Sequence, residues 1–374
     1  MASGTSNLAS LVALGGFVLA FIFGAVANRT NFCTMGAVSD VVNMGSWGRM
    51  RMWLLAIAVA ILGTHALQLA GLIDLSKSFY VRPNVTWLSY ILGGFLFGVG
   101  MTLGSGCGSK TLVRLGAGSL KSLIVFIFLG IAAYMTLKGL FAIWRANWID
   151  PVATDLTRVN VPRQDLPTLI SAWTGANLPL VEIVVALAVA GALLAFVFKD
   201  RAFRASFDHI LGGTVVGLVI VGGWYVTGHV GFAENPQTLE DTFFGTNSRT
   251  IESLSFTAPV GYVLELLMLW SDKSLTVTFG IAATIGIIAG SFVYAIASKT
   301  FRWEGFAGAE DTANHVIGGL LMGFGGVTAL GCTIGQGLTG FSTLALGSIL
   351  AFLAIVAGSA LTMKIQYWRM TREA

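Results

Sequence analysis

Long apolar stretches separated by short polar connections dominate the sequence. The first runs from residue 8 to residue 27. Eight more of similar length follow, at about residues 52–73, 87–104, 119–141, 179–198, 209–227, 275–297, 314–331 and 343–364. A helix of about 20 apolar residues is long enough to cross the hydrocarbon core of a bilayer. The pattern therefore predicts an all-α polytopic membrane protein with about nine transmembrane helices.

The remaining segments are too short or too polar to change this picture. The apolar patch 259–270 is too short to cross a bilayer and predicts an interfacial or partial helix. Two polar connections, residues 142–178 and 228–258, are too short to be domains. No basic region precedes the first apolar stretch, so we expect that stretch to be a retained helix rather than a cleaved signal. We expect one integral membrane domain over residues 1–374.

Composition supports a membrane protein and argues against a soluble enzyme. Hydrophobic residues make up 55% of the chain and charged residues only 11%, with a mean hydropathy of +0.79, whereas soluble domains carry about 25% charged residues. The net charge of +4 is small and spread over the loops, so no nucleic-acid partner is indicated. No nucleotide motif or metal-ligand spacing is present, so we expect no enzyme activity, no cofactor and no metal site.

The distribution of Lys and Arg predicts an orientation. If nine spans alternate across the bilayer, fourteen of the 22 basic residues lie on one side and eight on the other. Loops rich in Lys and Arg stay in the cytoplasm. We therefore expect the N-terminus outside and the C-terminus in the cytoplasm.

The Gly and Cys positions of the two halves repeat at a fixed offset of 225 residues. The matched pairs are Gly93 and Gly318, Gly94 and Gly319, Gly98 and Gly323, Gly100 and Gly325, Gly106 and Gly331, and Cys107 and Cys332. A shorter echo places Gly24 nine residues before Cys33, and a degenerate fourth copy at residues 211–217 has Val226 in place of a Cys. We interpret these as inverted pseudo-repeats of about residues 8–178 and 179–366, which would place a substrate between them near the midplane.

Each cysteine precedes a segment too brief to span: residues 33–43, 107–115 and 332–338. Irregular backbone at membrane depth is tolerated only where protein buries it or where it lines a wet cavity. These segments therefore predict short re-entrant half-helices, whose N-termini attract anions through unpaired N–H groups. The candidate substrate pathway is Cys33, Cys107 and Cys332. Flanking candidates for substrate binding are Asn31, Ser105, Gly106, Gly108, Lys110, Gly331 and Gln336.

The chemistry of a buried thiol limits which substrates the pathway could carry. Desolvation disfavours the thiolate, so the group stays a neutral S–H, which is a weak donor with a polarisable sulfur. Such a group can contact an anion without holding it, and weak sites in series suit conduction. We therefore expect a small anion to pass from one thiol to the next.

Three motifs carry a resemblance to a known family. The segments Asn31–Asp40, Gly104–Gly108 and Gly331–Gly337 resemble those of the YeeE/YedE family of bacterial inner-membrane proteins, and the resemblance extends from residue 10 to residue 365. It implies a pseudo-symmetric bundle in which Cys33, Cys107 and Cys332 line a central constriction and relay thiosulfate through S–H contacts. It also implies a multi-pass inner-membrane location and a small cytoplasmic sulfur-carrier protein as a partner.

Three alternatives remain open at this point. One is a permease for another sulfur or selenium species. A second is a membrane thiol oxidoreductase, although the three cysteines are isolated in sequence and form no C-x-x-C motif. The third is a Cu(I) permease, which thiols favour chemically but which lacks the expected Met-rich or His-rich segments.

Overall fold

The computed structural model describes residues 2–235 and 238–373, and in these ranges the chain is mainly helical. The α-helices are α1 (Ala2–Thr30), α2 (Thr34–Met44), α3 (Gly48–Leu69), α4 (Gly94–Leu103), α5 (Gly108–Gly116), α6 (Leu120–Lys138), α7 (Leu140–Trp144), α8 (Leu166–Thr174), α9 (Leu178–Phe198), α10 (Arg201–Ala205), α11 (Phe207–Tyr225), α12 (Ala258–Met268), α13 (Phe279–Ala297), α14 (Ala309–Thr328) and α15 (Leu346–Glu373). The all-α prediction is confirmed.

Short irregular elements connect these helices. The π-helical turns are Ser89–Gly93, Arg145–Ile149, Val226–Val230 and Gly335–Gly340, and the 3-10 turns are Leu75–Lys77, Phe79–Val81 and Leu156–Val159. Strands β1 (Asn84–Val85) and β2 (Thr154–Asp155) pair antiparallel, as do β3 (Phe232–Glu234) and β4 (Asp241–Phe243). The β1–β2 pair joins the two parts of the chain that flank α4–α7 and holds the 142–178 connection against the bundle.

Eight helical segments in the described ranges have the length and apolar composition of a membrane span. They are Asn7–Met44, Gly48–Leu69, Ser89–Gly116, Leu120–Lys138, Leu178–Phe198, Phe207–Val230, Phe279–Ala297 and Leu346–Arg372. The predicted ninth, 314–331, forms the 20-residue helix α14, but Glu310 and Asp311 in its first turn and His315 keep it outside this apolar set. Helix α14 packs against α4 and α6. Asp311 pairs with Lys121 of α6 at 2.8 Å and His315 is buried, whereas Glu310 is exposed. The apolar patch at 259–270 forms the 11-residue helix α12, short as expected.

The long helices pack in matched pairs. Helix α1 packs along α13 and α3 along α11, while α14 packs along α6 and α15 along α4. Two further contacts, α1 with α11 and α4 with α14, each join two of these pairs. The bundle is thus built from two groups of four helices, each with the same pattern of partners.

Glycine allows the closest of these contacts. A Cβ on Gly98 of α4 would lie 2.2 Å from the carbonyl oxygen of Ile355 in α15, and one on Gly323 of α14 would lie 2.4 Å from that of Leu129 in α6. Helices can approach backbone to backbone only where a small residue leaves room. The repeat-related positions Gly98 and Gly323 therefore occupy corresponding contacts.

We predict that Gly98→Ala destabilises the protein, because the new methyl group must push α15 away from α4. Overpacking of this kind costs roughly 1–3 kcal/mol. The thermal midpoint of the purified protein in detergent measures the loss. Gly191→Ala is the matched control, since a Cβ on Gly191 of α9 meets nothing within 4 Å. Equal midpoints for the two variants would contradict the prediction.

Candidate functional site

Each of the three cysteines lies directly before a short helix. Cys33 precedes α2 and Cys107 precedes α5. Cys332 precedes a short helix that begins at Thr333 and includes the π-helical turn Gly335–Gly340. The three segments that the sequence predicted to be short helices are therefore short helices.

The same backbone geometry leads into each cysteine. Two residues earlier the chain adopts a left-handed conformation, with φ of 53° at Asn31, 56° at Ser105 and 59° at Leu330. The amide before each cysteine donates to a carbonyl five residues back: Phe32 to Ala27 (3.1 Å), Gly106 to Met101 (2.9 Å) and Gly331 to Gly326 (2.7 Å). This is the pattern that ends a helix and turns the chain. It places all three cysteines at equivalent positions.

The degenerate fourth copy has no such break at its expected position. Helix α11 continues through Val226 as the π-helical turn Val226–Val230, and strand β3 follows. Where the cysteine is replaced by Val226, the short helix is missing as well.

The cysteines come close together although they are far apart in sequence. The Cys33 and Cys107 side chains are neighbours, and Thr333, next to Cys332, lies near Cys107. All three cysteines are free and buried, with exposed fractions of 4% for Cys33 and 0% for Cys107 and Cys332. We call Cys33, Cys107 and Cys332 the cysteine cluster.

Nearby donors and hydroxyl groups already engage the sulfur atoms. The Gly36 amide donates to Sγ of Cys33 at 3.4 Å. The amides of Gly335 and Phe256 donate to Sγ of Cys332, each at 3.4 Å. Ser109 Oγ lies 3.3 Å from Sγ of Cys107. In the first turn of two of the three short helices, the cysteine sulfur therefore accepts a hydrogen bond from a backbone amide. The sequence predicts that these amides bind an anion.

A cavity of about 360 Å³ opens beside Cys33. Four sequence-predicted residues line it: Asn31, Cys33, Ser105 and Lys110. Lys110 Nζ donates to Asn31 Oδ1 at 3.2 Å, and an Arg114 N–H donates to the Ser105 carbonyl at 2.9 Å. We call this space the Lys110 cavity.

The lining of the Lys110 cavity is strongly cationic. Besides Lys110 it includes Arg49, Arg114 and Arg302, with Glu304 as its carboxylate. Arg49 also forms a two-point ion pair with Asp40. The cavity therefore presents an environment that favours anions.

A second cavity of about 440 Å³ lies near Cys332. Gly331, the fifth sequence-predicted residue to line a cavity, forms part of its wall together with Arg82 and Ser255. Ser255 Oγ lies 4.0 Å from Sγ of Cys332. We call this space the Arg82 cavity.

The two cavities lie at opposite ends of the bundle. Phe279, the first residue of α13, lines the Arg82 cavity, and Thr300, just after its end, lines the Lys110 cavity. A 19-residue helix is about 28 Å long at 1.5 Å per residue. Cys107 and Cys332 are buried and line neither cavity, whereas Cys33 lines the Lys110 cavity.

The other sequence-predicted residues support the backbone around the cysteines. Gly108 is the first residue of α5, and a Cβ there would meet its nearest neighbours only at 3.9 Å. A Cβ on Gly106 would lie 3.3 Å from the Lys110 side chain. Gln336 is buried, and its Nε2 donates to the Ala329 carbonyl, which fastens the turn before Cys332. Gln336 thus lies beside the Cys332 segment and lines neither cavity.

Sequence reasoning missed the loop that covers Cys332. Ser253, Ser255 and Phe256 belong to the polar 228–258 connection, which offered no motif, yet this loop supplies one of the amides bonded to Cys332. Thr333 was visible as part of the cysteine motif but was not assigned a role. In the part of the chain that the structure describes, no group of three His, Cys, Asp or Glu side chains is arranged to hold a metal ion.

The chain is similar in sequence to known proteins over nearly its whole length. The thiosulfate transporter TsuA of Escherichia coli (strain K12) is 25% identical over 379 aligned positions, which cover 96% of each protein. The thiosulfate transporter TsuA of Spirochaeta thermophila (strain ATCC 700085 / DSM 6578 / Z-1203) is 28% identical over 348 positions, 92% of this chain and 96% of that protein.

Residues 29–361, which include all three cysteine motifs, match the family model described as sulphur transport. This match agrees with the YeeE/YedE resemblance of the three motifs. The chain belongs to the sulphur transport family.

Proposed function

We propose that this protein takes up thiosulfate across the bacterial inner membrane through the cysteine cluster. The observation that carries the proposal is the burial of three free thiols, from distant parts of the chain, between cavities at opposite ends of the bundle. Two relatives that align over nearly the whole chain are named thiosulfate transporters. We propose no catalysed reaction, since the site offers contacts along a route.

The thiols act as successive weak donors. Thiosulfate enters the Arg82 cavity and receives S–H hydrogen bonds first from Cys332, then from Cys107 and Cys33, on its terminal sulfur or its oxygens. Neutral thiols desolvate the anion without trapping it, because each contact is weak. The buried cluster must open for the anion to pass, and the short helices that begin at the cysteines are the elements closest to that movement.

The Lys110 cavity receives the anion on the far side. Lys110, hydrogen-bonded to Asn31, provides a flexible cation in the cavity that Cys33 lines, and Ser105 is held there by Arg114. Gly106 and Gly331 leave room for the Lys110 and Gln336 side chains beside the cysteines, and Gly108 begins α5. Gln336 positions the Cys332 segment through its bond to Ala329.

We propose that the Lys110 cavity faces the cytoplasm. It shares its end of the bundle with the larger group of basic residues, fourteen against eight for the other end. This orientation places the N-terminus outside and the C-terminus inside. A small cytoplasmic sulfur-carrier protein would then meet the anion at the Lys110 cavity.

We propose that the two halves, about 8–178 and 179–366, are inverted repeats. The matched helix pairs support this, and so does one exchange of contacts between repeat-related glycines. A Cβ on Gly93 would lie 2.7 Å from the Gly325 carbonyl oxygen, and one on Gly318 would lie 2.7 Å from that of Gly100. A two-fold relation between the halves converts the first contact into the second.

A thiol oxidoreductase is the second candidate, because the Cys33 and Cys107 side chains are neighbours. An oxidoreductase must cycle between a dithiol and a disulfide. Thiol trapping of purified protein before and after mild oxidation separates the two functions. A reversible Cys33–Cys107 disulfide that is formed during turnover would favour the oxidoreductase.

We predict that Cys107→Ala abolishes thiosulfate uptake while leaving the protein folded, because Cys107 is the central thiol of the relay. Cys107→Ser keeps a donor of similar shape but loses the polarisable sulfur, and we expect uptake reduced on the order of tenfold, the effect of about 1.4 kcal/mol. Labelled-thiosulfate uptake in a strain lacking its own sulfate and thiosulfate transporters measures both. Growth of that strain on thiosulfate gives a second readout.

Folding of the Cys107 variants is checked by their thermal midpoints in detergent, and Gly191→Ala serves as the matched substitution control for uptake. Normal uptake by a folded Cys107→Ala protein would refute the relay. Lack of uptake by the unaltered chain, when well expressed and co-expressed with a sulfur-carrier protein, would refute thiosulfate as the cargo and favour another sulfur or selenium species.

We predict that Lys110→Gln lowers uptake several-fold, because it removes a cation next to Cys33 but keeps a donor for Asn31. Uptake rates at low and high salt show whether the loss is electrostatic, since salt screens exposed charges. Lys364→Ala, on the exposed end of α15, is the control for charge alone. If both variants lost the same fraction of uptake, the loss would come from the change in net charge and not from the cavity, which would contradict the prediction.

A further inference from the structure

A carboxyl group, that of Glu252, lies in the wall of the Arg82 cavity. Glu252 belongs to the loop between β4 and α12, and its half-buried side chain lines the cavity wall. The Ser248 hydroxyl donates to Glu252 Oε2. Among the residues that the structure describes, no Lys, Arg or His nitrogen lies within 4.0 Å of the Glu252 carboxylate. A carboxylate in this position faces the space that an anion enters.

The other polar groups of the cavity do not neutralise Glu252. The titratable and charged side chains that line the space with it are Tyr80, Arg82, Tyr90, Arg145 and Tyr262. Arg145 is paired with Asp150 at 3.2 Å. Arg82 forms no ion pair among the described residues, so one unpaired cation and one unpaired acid line the same cavity.

The rest of the lining is largely apolar and explains the state of the acid. Phe79, Leu137, Pro259 and Phe279 are among the wall residues. Burial among such groups disfavours the ionised carboxylate and raises the pKa of Glu252 to about 7, although the hydrogen bond from Ser248 opposes the shift. Glu252 therefore changes its charge in the neutral range.

We propose that Glu252 is a proton-binding residue of the Arg82 cavity, where a proton and a divalent oxyanion bind together. The proposal rests on the proposed function, since it takes thiosulfate as the anion. An ionised Glu252 repels the dianion at close range, whereas the neutral acid donates a hydrogen bond to a sulfonate oxygen. Arg82 attracts the anion in both states, so the proton on Glu252 decides how well the cavity holds it.

The sign of the pH effect follows from this arrangement. Below pH 7 the acid is protonated and the cavity accepts the dianion, and above pH 7 the competent fraction falls. If only the protonated form binds, apparent affinity scales with that fraction, and it drops about tenfold between pH 6 and pH 8. Thiosulfate itself keeps its charge over this range.

The test measures thiosulfate binding to the full-length purified protein by calorimetry at pH 6 and pH 8. We expect the dissociation constant to rise about tenfold at pH 8 in the unaltered protein. In Glu252→Gln, which keeps a neutral donor, we expect no pH dependence and an affinity close to the unaltered protein at pH 6. Glu240→Gln, an exposed acid on the same side of the bundle, is the matched control and should behave like the unaltered protein.

A flat pH response in the unaltered protein, or an unchanged response in Glu252→Gln, would overturn the proposal. Ser248→Ala gives a second variant that keeps the acid. It removes the donor that favours the ionised form, so the pH midpoint for binding should rise.

An infrared titration without thiosulfate separates this proposal from the proposed function. A neutral-carboxyl band that disappears with a midpoint near pH 7, and is missing in Glu252→Gln, is expected whether or not thiosulfate is the cargo. Absence of that band would refute proton binding by Glu252. Presence of the band together with no thiosulfate binding at either pH would instead refute thiosulfate as the anion.

Discussion

The structure depends on interrupting membrane helices without leaving backbone groups unsatisfied. In a bilayer an unpaired amide or carbonyl is costly, so a broken helix needs partners for both of its new ends. Here a left-handed residue ends each helix, as at Asn31 and Leu330, and the amide that follows bonds five residues back. The next residue is a cysteine, and its sulfur takes part in a hydrogen bond at the start of the short helix.

Close packing of the long helices brings these breaks together. Helices α4, α6, α14 and α15 approach backbone to backbone at glycines, and the same pairing pattern recurs among α1, α3, α11 and α13. Breaks in α1, α4 and α14 therefore converge, and the thiols from three distant segments become neighbours. All three thiols are buried, so the relay that we propose requires the short helices to move relative to the glycine-packed frame.

The two cavities differ in the charge of the side chains that line them. The Lys110 cavity is lined by four cationic side chains and one carboxylate. Its electrostatic potential is therefore positive and favours the binding of an anion. The Arg82 cavity is mostly apolar, and it contains Arg82, which has no ion-pair partner in the described part of the chain, and Glu252, whose pKa is raised to about 7 by burial. In the pathway that we propose, an anion that enters there loses water in a weakly charged cavity before it reaches the thiols.

Much of this protein follows from its sequence alone. Apolar length determines the spanning helices, because crossing the hydrocarbon core needs about 20 apolar residues, and the spacing of Gly and Cys identified Cys33, Cys107 and Cys332. The short helices after each cysteine were also predictable, since each segment is too brief to cross. Helix α14 was harder to classify, because its polar first turn lowers its hydropathy below that of the other long helices.

Tertiary structure alone decided which groups meet. The contact between Cys33 and Cys107, the cover over Cys332 by the loop containing Phe256, and the placement of Glu252 in a cavity involve residues with no regular spacing in sequence. Local patterns fix where a helix ends, because that depends on neighbouring residues. Contacts between distant segments depend instead on how whole helices pack, and only the folded chain specifies them.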